Sequence, residues 1–209
     1  MTRLIIARHG NTFESGQSPT RIGARTDLPL TGKGLEQGRK IGEFLKTNNM
    51  IPDIIYCSTL QRTQQTAREA IKASGISNHA YSLDIFNEID YGPDENKPEA
   101  EVIERIGETA IKDWDERAIV PPGWLAKPQE IIQNWQGFAA QLLKQQDEFN
   151  HEETVLVVTS NGIARFAPHI TGDFDGFKAR FPLKLSTGAL GILQHDGANW
   201  RVTDWNIRP

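Results

Sequence analysis

The stretch Leu4-Ile5-Ile6-Ala7-Arg8-His9-Gly10-Asn11-Thr12 decides the reading of this chain: a short apolar run that reads as a strand delivers a histidine and a fixed cation to its carboxyl end. That is where an open α/β sheet gathers its chemistry. A neutral His9 offers a nitrogen lone pair, and the Arg8 guanidinium presents a fork that matches phosphate oxygens. The pairing points to phosphoryl transfer, with Asn11 and Thr12 placed in the following loop to help bind the phosphate.

A second segment points the same way. Ser58-Thr59-Leu60-Gln61-Arg62-Thr63-Gln64-Gln65-Thr66-Ala67 follows the apolar run Ile54-Ile55-Tyr56-Cys57 and has the composition of a helix start, with Ser58 as its N-cap. A phosphate lodged there would meet free backbone N–H groups and the positive end of the helix dipole, and Arg62, one turn in, adds a second guanidinium. Strands expected near 3–8, 53–57, 80–85 and 154–159 alternate with helices near 32–48, 59–74 and 161–171. Such alternation implies an α/β fold, a three-layer α/β/α sandwich with a mostly parallel central sheet, which brings His9, Arg62 and Ser160 to one edge. Residues 189–193 and 200–205 flank His195-Asp196-Gly197-Ala198-Asn199 and read as an antiparallel hairpin finishing the sheet. Between 87 and 128 the alternation gives way to a polar segment with a helix near 99–117 and the turn Pro121-Pro122-Gly123. Ile131, Ile132, Trp135, Phe138 and Leu142 then recur at the spacing of a core-facing helix.

With Gly23-Ala24-Arg25-Thr26-Asp27-Leu28-Pro29-Leu30-Thr31 and Gly34-Leu35-Glu36-Gln37 lying between the two segments, the chain resembles the histidine phosphatase superfamily, also called phosphoglycerate mutase-like, over nearly its whole length. The resemblance implies that His9 becomes transiently phosphorylated while Arg8 and Arg62 clamp the phosphate. It also implies that Phe86-Asn87-Glu88-Ile89-Asp90-Tyr91-Gly92 supplies the proton donor, Glu88, with Asp90 competing for that role. Residues 1–209 are expected to form a single domain whose helical insertion, at about 87–128, roofs the pocket. Arg21, Arg25, Tyr91, Asn96 and Lys97 are the candidates for reading the substrate beyond its phosphate. Arg21 and Lys97 come first, because a second anionic group is common on small metabolites.

One departure from the family pattern stands out. Family members usually follow the last parallel strand with a serine, a second histidine and two small residues, whereas this chain reads Val155-Leu156-Val157-Val158-Thr159-Ser160-Asn161-Gly162. Matching the strand and Gly162 puts Ser160 where the second histidine is expected, with the Asn161 amide beside it. A neutral donor is worth roughly 1 kcal/mol against about 1.5–3 for a charged one, so the expected handicap is about one to two orders of magnitude in rate. Three activities stay open: a phosphatase acting on a small phosphorylated metabolite, a phosphate-binding sensor or scaffold without turnover, and a mutase. For the mutase, Asp94-Glu95-Asn96 keeps only the glutamate of the family's tryptophan-glutamate-glycine segment.

Composition bounds the rest. A chain of 209 residues, 38% hydrophobic and 24% charged, suits a globular protein with a substantial core. A net charge of −4 and a pI near 5.8 argue against nucleic acid as the main partner. The single Cys57 reads as a buried thiol in a reducing compartment. With no apolar run long enough to anchor or export the chain, a cytoplasmic protein without a membrane partner is expected. His79, His151, His169 and His195 are scattered without zinc-ligand spacing, so neither a metal nor another cofactor is expected. Self-association is left open.

Overall fold

Strand β1 (Thr2–Arg8) carries four consecutive apolar residues, Leu4 to Ala7, with no exposed surface. Continuous apolarity of this kind belongs to a strand with neighbours on both edges and helices on both faces. The computed structural model, which describes residues 2–149 and 153–209, places it so. After β1 come α1 (Gly32–Thr47), β2 (Ile54–Cys57), α2 (Gln61–Ser74), β3 (Ala80–Ser82), α3 (Glu99–Ile106), α4 (Glu108–Arg117) and α5 (Pro128–Phe149). The chain continues with β4 (Thr154–Thr159), α6 (Asn161–Ala164), α7 (Phe174–Arg180), β5 (Leu190–His195) and β6 (Trp200–Ile207). The sheet order is β3-β2-β4-β1-β5-β6. Its first four strands are parallel, and β5 and β6 close it as the expected antiparallel hairpin.

The two-residue period of the strands sorts the core into two layers. Ile5, Ala7, Leu156 and Val158 face Ile41 and Leu45 of α1 and Ala67 and Ala70 of α2. Leu4, Ile6, Val155 and Val157 face the other way, toward Trp135, Phe138 and Leu142 of α5 together with Phe86, Phe166 and Phe177. The result is the α/β/α sandwich read from the sequence.

Three expected elements come out shorter or divided. The strand expected at 80–85 stops at Ser82, and Asp84–Phe86 forms a 3-10 turn that buries Phe86 against Trp135 and Phe138. The helix expected at 161–171 is α6 followed by a 3-10 segment, Ala167–Thr171, with Pro168 in its first turn, since proline has no N–H to continue an α-helix. The helix expected at 99–117 divides into α3 and α4 at Gly107, whose φ of 81° a helix does not allow. His151 lies outside the described residues. No helix among the described residues is long and apolar enough to cross a membrane.

The segment between β3 and α5 is tied together through one buried carboxylate. Asp94 accepts from Arg105 Nε at 2.6 Å and from Trp124 Nε1 at 2.6 Å, joining the turn before α3, α3 itself and the turn at 121–124. Burial raises the Asp94 pKa, but the Arg105 and Trp124 hydrogen bonds and the Arg105 charge more than offset it and hold the carboxyl below its ordinary range.

Candidate active site

Both neighbours of β1 hold the loop that leaves its carboxyl end. The His9 N–H donates to Thr159 O of β4 at 3.0 Å, and the Gly188 N–H, from the segment leading into β5, donates to Arg8 O and His9 O. Gly10 N–H donates to Thr66 Oγ1 of α2 at 3.0 Å, and Asn11 N–H to Gln37 Oε1 of α1 at 2.8 Å. Asn11 O accepts from the N–H of Thr31, whose side chain caps α1. A Cβ on Gly10 would overlap Gly34 O, so the loop can seat against the start of α1 only with glycine there. The backbone around His9 is thus held by β4, α1, α2 and the segment leading into β5, the arrangement that fixes a reacting group before a ligand arrives.

The state of the imidazole follows from its partner. His9 Nδ1 lies 2.8 Å from Gly10 O. A carbonyl oxygen only accepts, so Nδ1 carries the proton and Nε2 keeps its lone pair. Burial, then the positive charges of Arg62 and Arg8, push the His9 pKa well below its ordinary 6.5, against the smaller effect of the Gly10 hydrogen bond. The ring is 4% exposed and is neutral at neutral pH.

His9 opens on a cavity of about 830 Å³ lined by Arg8, Asn11, Thr12, Glu88, Asn161 and Arg165, with Arg21, Glu99, Asp115 and Lys184 also on its wall. Arg8 donates from Nη1 to Leu185 O at 2.7 Å, while its buried Nε has no partner. Glu88 is 6% exposed and accepts from the Ile89 N–H at 2.9 Å on Oε1 and from the Gly162 N–H at 3.1 Å on Oε2. The second bond ties Glu88 to the first turn of α6, opposite the end of β1. A methyl group at position 162 would overlap Glu88 Oε1. Gly162→Ala is therefore expected to lower turnover at least about tenfold, the scale on which angstrom-sized displacements act, with a smaller change in melting temperature. Steady-state kinetics beside a thermal melt checks it.

Four sequence expectations are corrected here. The N-terminus of α2 is not open to a phosphate, because Leu60 N–H donates to Ser58 Oγ and Gln61 N–H to Asp27 Oδ1 at 2.7 Å, so a carboxylate already meets the dipole. The N-cap position is Leu60, and Ser58 instead pairs with Thr63. Arg62 is wholly buried and does not line the cavity. Its guanidinium donates to Thr26 O at 2.8 Å and Gly23 O at 3.1 Å, leaving Nε unpartnered. Ser160 is fully buried with an unpartnered Oγ and is absent from the cavity wall, where its neighbour Asn161 stands, the Asn161 Oδ1 accepting from Leu185 N–H.

Of the residues expected to read the rest of a substrate, the structure brings only some to the cavity. Arg21 lines it, paired with Glu99 at 2.7 Å and stacked over Trp124 at 4.8 Å, and Tyr91 lies beside it. Arg25 and Lys97 do not, since Arg25 is held by Asp90 at 2.8 Å and by Gly92 O, and Lys97 pairs with Glu101 at 3.1 Å in solvent. Asn96 likewise is off the wall, accepting from Thr20 Oγ1. Asp90 does not line the cavity, and although burial raises its pKa, the Arg25 and Gly92 hydrogen bonds and the Arg25 charge together hold it below its ordinary value. The other described histidines stay away as well. His169 stacks on Phe174 at 3.7 Å, His79 meets Tyr81 at a tilt, and His195 supports its hairpin turn.

Sequence reading missed Arg165. It is 1% exposed yet lines the cavity, its guanidinium 4.0 Å above the Trp114 ring. Sequence carried one signal, a basic residue one helical turn beyond Asn161 in an otherwise apolar stretch. Among the described residues no group of three His, Cys, Asp or Glu side chains gathers to hold a metal.

A sandwich around a mostly parallel sheet, with a buried neutral histidine beside an arginine at the end of its central strand, describes a known class of protein. Residues 4–208 match the histidine phosphatase superfamily (branch 1), and the chain belongs to that family. It is similar to the 2,3-bisphosphoglycerate-dependent phosphoglycerate mutase of Bifidobacterium longum (strain DJO10A), 29% identical over 133 residues, 63% of this chain and 53% of that protein. It is also similar to phosphoglycerate mutase 1 of Saccharomyces cerevisiae, 31% identical over 126 residues, 58% of this chain and 49% of that protein. The chain spans about half the length of these curated relatives. Among solved structures, a mycobacterial glucosyl-3-phosphoglycerate phosphatase in complex with VO3 superposes with a TM-score of 0.79 at 20% identity over 99% of both chains. The alpha-ribazole phosphatase of Shigella flexneri does so with a TM-score of 0.72 at 21% identity, over 99% of this chain and 97% of that one. At these identities the likeness is one of fold.

Proposed function

We propose that this protein is a phosphatase that hydrolyses a small phosphomonoester through a phosphohistidine on His9. The observation that carries the reading is the Nδ1–Gly10 contact in a site that keeps the imidazole neutral, because it leaves Nε2 as a nucleophile with its lone pair free. In the first step Nε2 attacks phosphorus, the P–O bond to the alcohol breaks, and Glu88 gives a proton to the leaving oxygen. Each Glu88 oxygen already accepts one backbone N–H and keeps a second lone-pair site on which a proton can ride. In the second step water attacks the phosphohistidine, Glu88 takes back a proton, the P–N bond breaks, and inorganic phosphate leaves with His9 restored. Arg8, on the wall beside His9, supplies positive charge to the phosphoryl oxygens, and Arg62 adds its charge from behind the wall. Asn11, Thr12 and Asn161 line the same cavity. The remaining volume, with the Arg21–Glu99 pair on its wall, takes the alcohol part of the ester. The mycobacterial neighbour is a phosphatase complexed with VO3, which agrees with this reading.

The test is release of inorganic phosphate from a panel of phosphomonoesters, together with trapping of an acid-labile, base-stable phosphate on the protein. Binding of phosphate with neither turnover nor trapped label would assign the pocket to a sensor or scaffold instead.

A pH prediction follows from the same histidine. The folded-state pKa of His9 lies well below 6.5, and burial also lowers that of His169. As pH falls through 6.5 the unfolded chain takes up protons at both sites while the folded protein does not, so these sites remove stability as pH falls from about 6.5 toward the folded-state values. NMR titration of the imidazole signals is expected to show His9 still neutral at pH 6.5; a midpoint at or above that value would refute the assigned charge state.

A further inference from the structure

Arg165 is a buried guanidinium on the wall of the His9 cavity, where Arg8 is half-buried, and of these two the proposed mechanism uses only Arg8. Most of Arg165 is fixed in place. Nε donates to Asn161 O at 3.3 Å, Nη1 donates to Trp114 O, and the plane of the group lies over the Trp114 ring at 4.0 Å. What remains is Nη2, whose nearest carboxylate, Asp115 Oδ1, stands at 3.6 Å, beyond hydrogen-bond reach. Asp115 is itself 37% exposed and shared with Lys184, whose Nζ is 3.5 Å from Oδ2. The cation is therefore buried while its counter-charge is partly in water and divided between two partners. A buried charge with weak compensation is costly to keep, and that cost falls when an anion enters the cavity.

We propose that Arg165 is a phosphate-contacting residue, its Nη2 donating to a non-bridging oxygen of the phosphoryl group bound at His9. The proposal rests on the phosphatase reading for where that group sits, but its contact is one of binding and does not need turnover. Trp114 and the carbonyls of Trp114 and Asn161 act as the jig that aims the free edge, and Asp115, too far away to hydrogen-bond, competes for that edge by charge alone. Two arginines on the wall then meet the phosphoryl group from different elements, Arg8 from the end of β1 and Arg165 from just beyond α6. The electrostatics agree with this placement, since burial lowers the pKa of both guanidinium groups, the Arg165 charge lowers that of Arg8 further, and Glu88 raises both.

The test measures the Kd of inorganic phosphate by calorimetry for the wild type, Arg165→Met, Arg165→Lys and Asp115→Asn, with a thermal melt of each. Loss of one charge-assisted bond predicts Arg165→Met about ten- to one-hundred-fold weaker than wild type. Arg165→Lys, which keeps the charge and loses the stacked fork, is expected to fall between them. Asp115→Asn, which removes the competing carboxylate, is expected to bind phosphate a few-fold more tightly. Phosphate affinity unchanged in either folded Arg165 variant would overturn the proposal, as would a wild type that binds no phosphate. If Arg165→Met does not fold, the lysine and Asp115→Asn variants decide, because a purely structural Arg165 would leave phosphate affinity insensitive to Asp115. Wild-type phosphate binding that depends on Arg165 without any phosphate release would uphold this contact while removing the phosphatase reading.

Discussion

Replacing His9 with alanine is expected to lower phosphate release by at least about three orders of magnitude, because among the described residues no other histidine lines the cavity to form the bond to phosphorus. Among the described histidines, His79, His169 and His195 are held by aromatic or turn contacts away from the cavity. The fold is expected to survive. The His9 ring bonds to the carbonyl of its own neighbour, Gly10, and is neutral, so its removal unbalances no buried charge. Phosphate affinity should persist for the same reason, since Arg8 is untouched. The decisive combination is lost turnover and lost phosphoprotein with an unchanged melt and retained phosphate binding. A variant that still releases phosphate at more than a few per cent of the wild-type rate would place the nucleophile elsewhere.

The second large effect is expected from Glu88→Gln, and it should depend on the leaving group. An alkyl phosphate expels an alkoxide and needs a proton in the transition state, so its hydrolysis is expected to slow by about 10²–10⁴. A nitrophenyl phosphate expels a stable phenolate and should slow much less. Glutamine preserves size, but its amide oxygen can satisfy only one of the N–H groups of Ile89 and Gly162 that the two carboxylate oxygens now accept from. A modest loss of stability should therefore accompany the kinetic change, and it cannot by itself separate the two esters. Comparing both substrates on wild type, Glu88→Gln and Asp90→Asn checks the assignment. Equal slowing of both esters by Glu88→Gln would remove Glu88 as the acid, and an ester-dependent effect at Asp90 would move the role there.

Much of the fold was legible in the chain because strands buried on both faces leave uninterrupted apolar runs. Leu4-Ile5-Ile6-Ala7 and Val155-Leu156-Val157-Val158 are such runs, and they became the central pair of the sheet. The ends of elements were less legible, since they depend on contacts from outside the segment. The strand at 80–85 stops early because Phe86 is drawn into the aromatic cluster of α5, which local propensity does not register.

For the site, placement at a strand end was enough to single out His9 and Arg8, and the family resemblance added Glu88; all three line the same cavity. Sequence by itself determined the sheet and its two helical layers, the family, and the histidine and arginine at the carboxyl end of β1. Tertiary structure alone decided which cations reach the wall. The side chain of Arg62 turns back to the carbonyls of Gly23 and Thr26, Asp27 closes the helix end beside it, and Arg165 comes forward because Trp114, from the segment before α5, gives its guanidinium a face to lie on. Each of those outcomes depends on a partner dozens of residues away, and the direction of a long side chain is set by such partners and not by its neighbours in sequence.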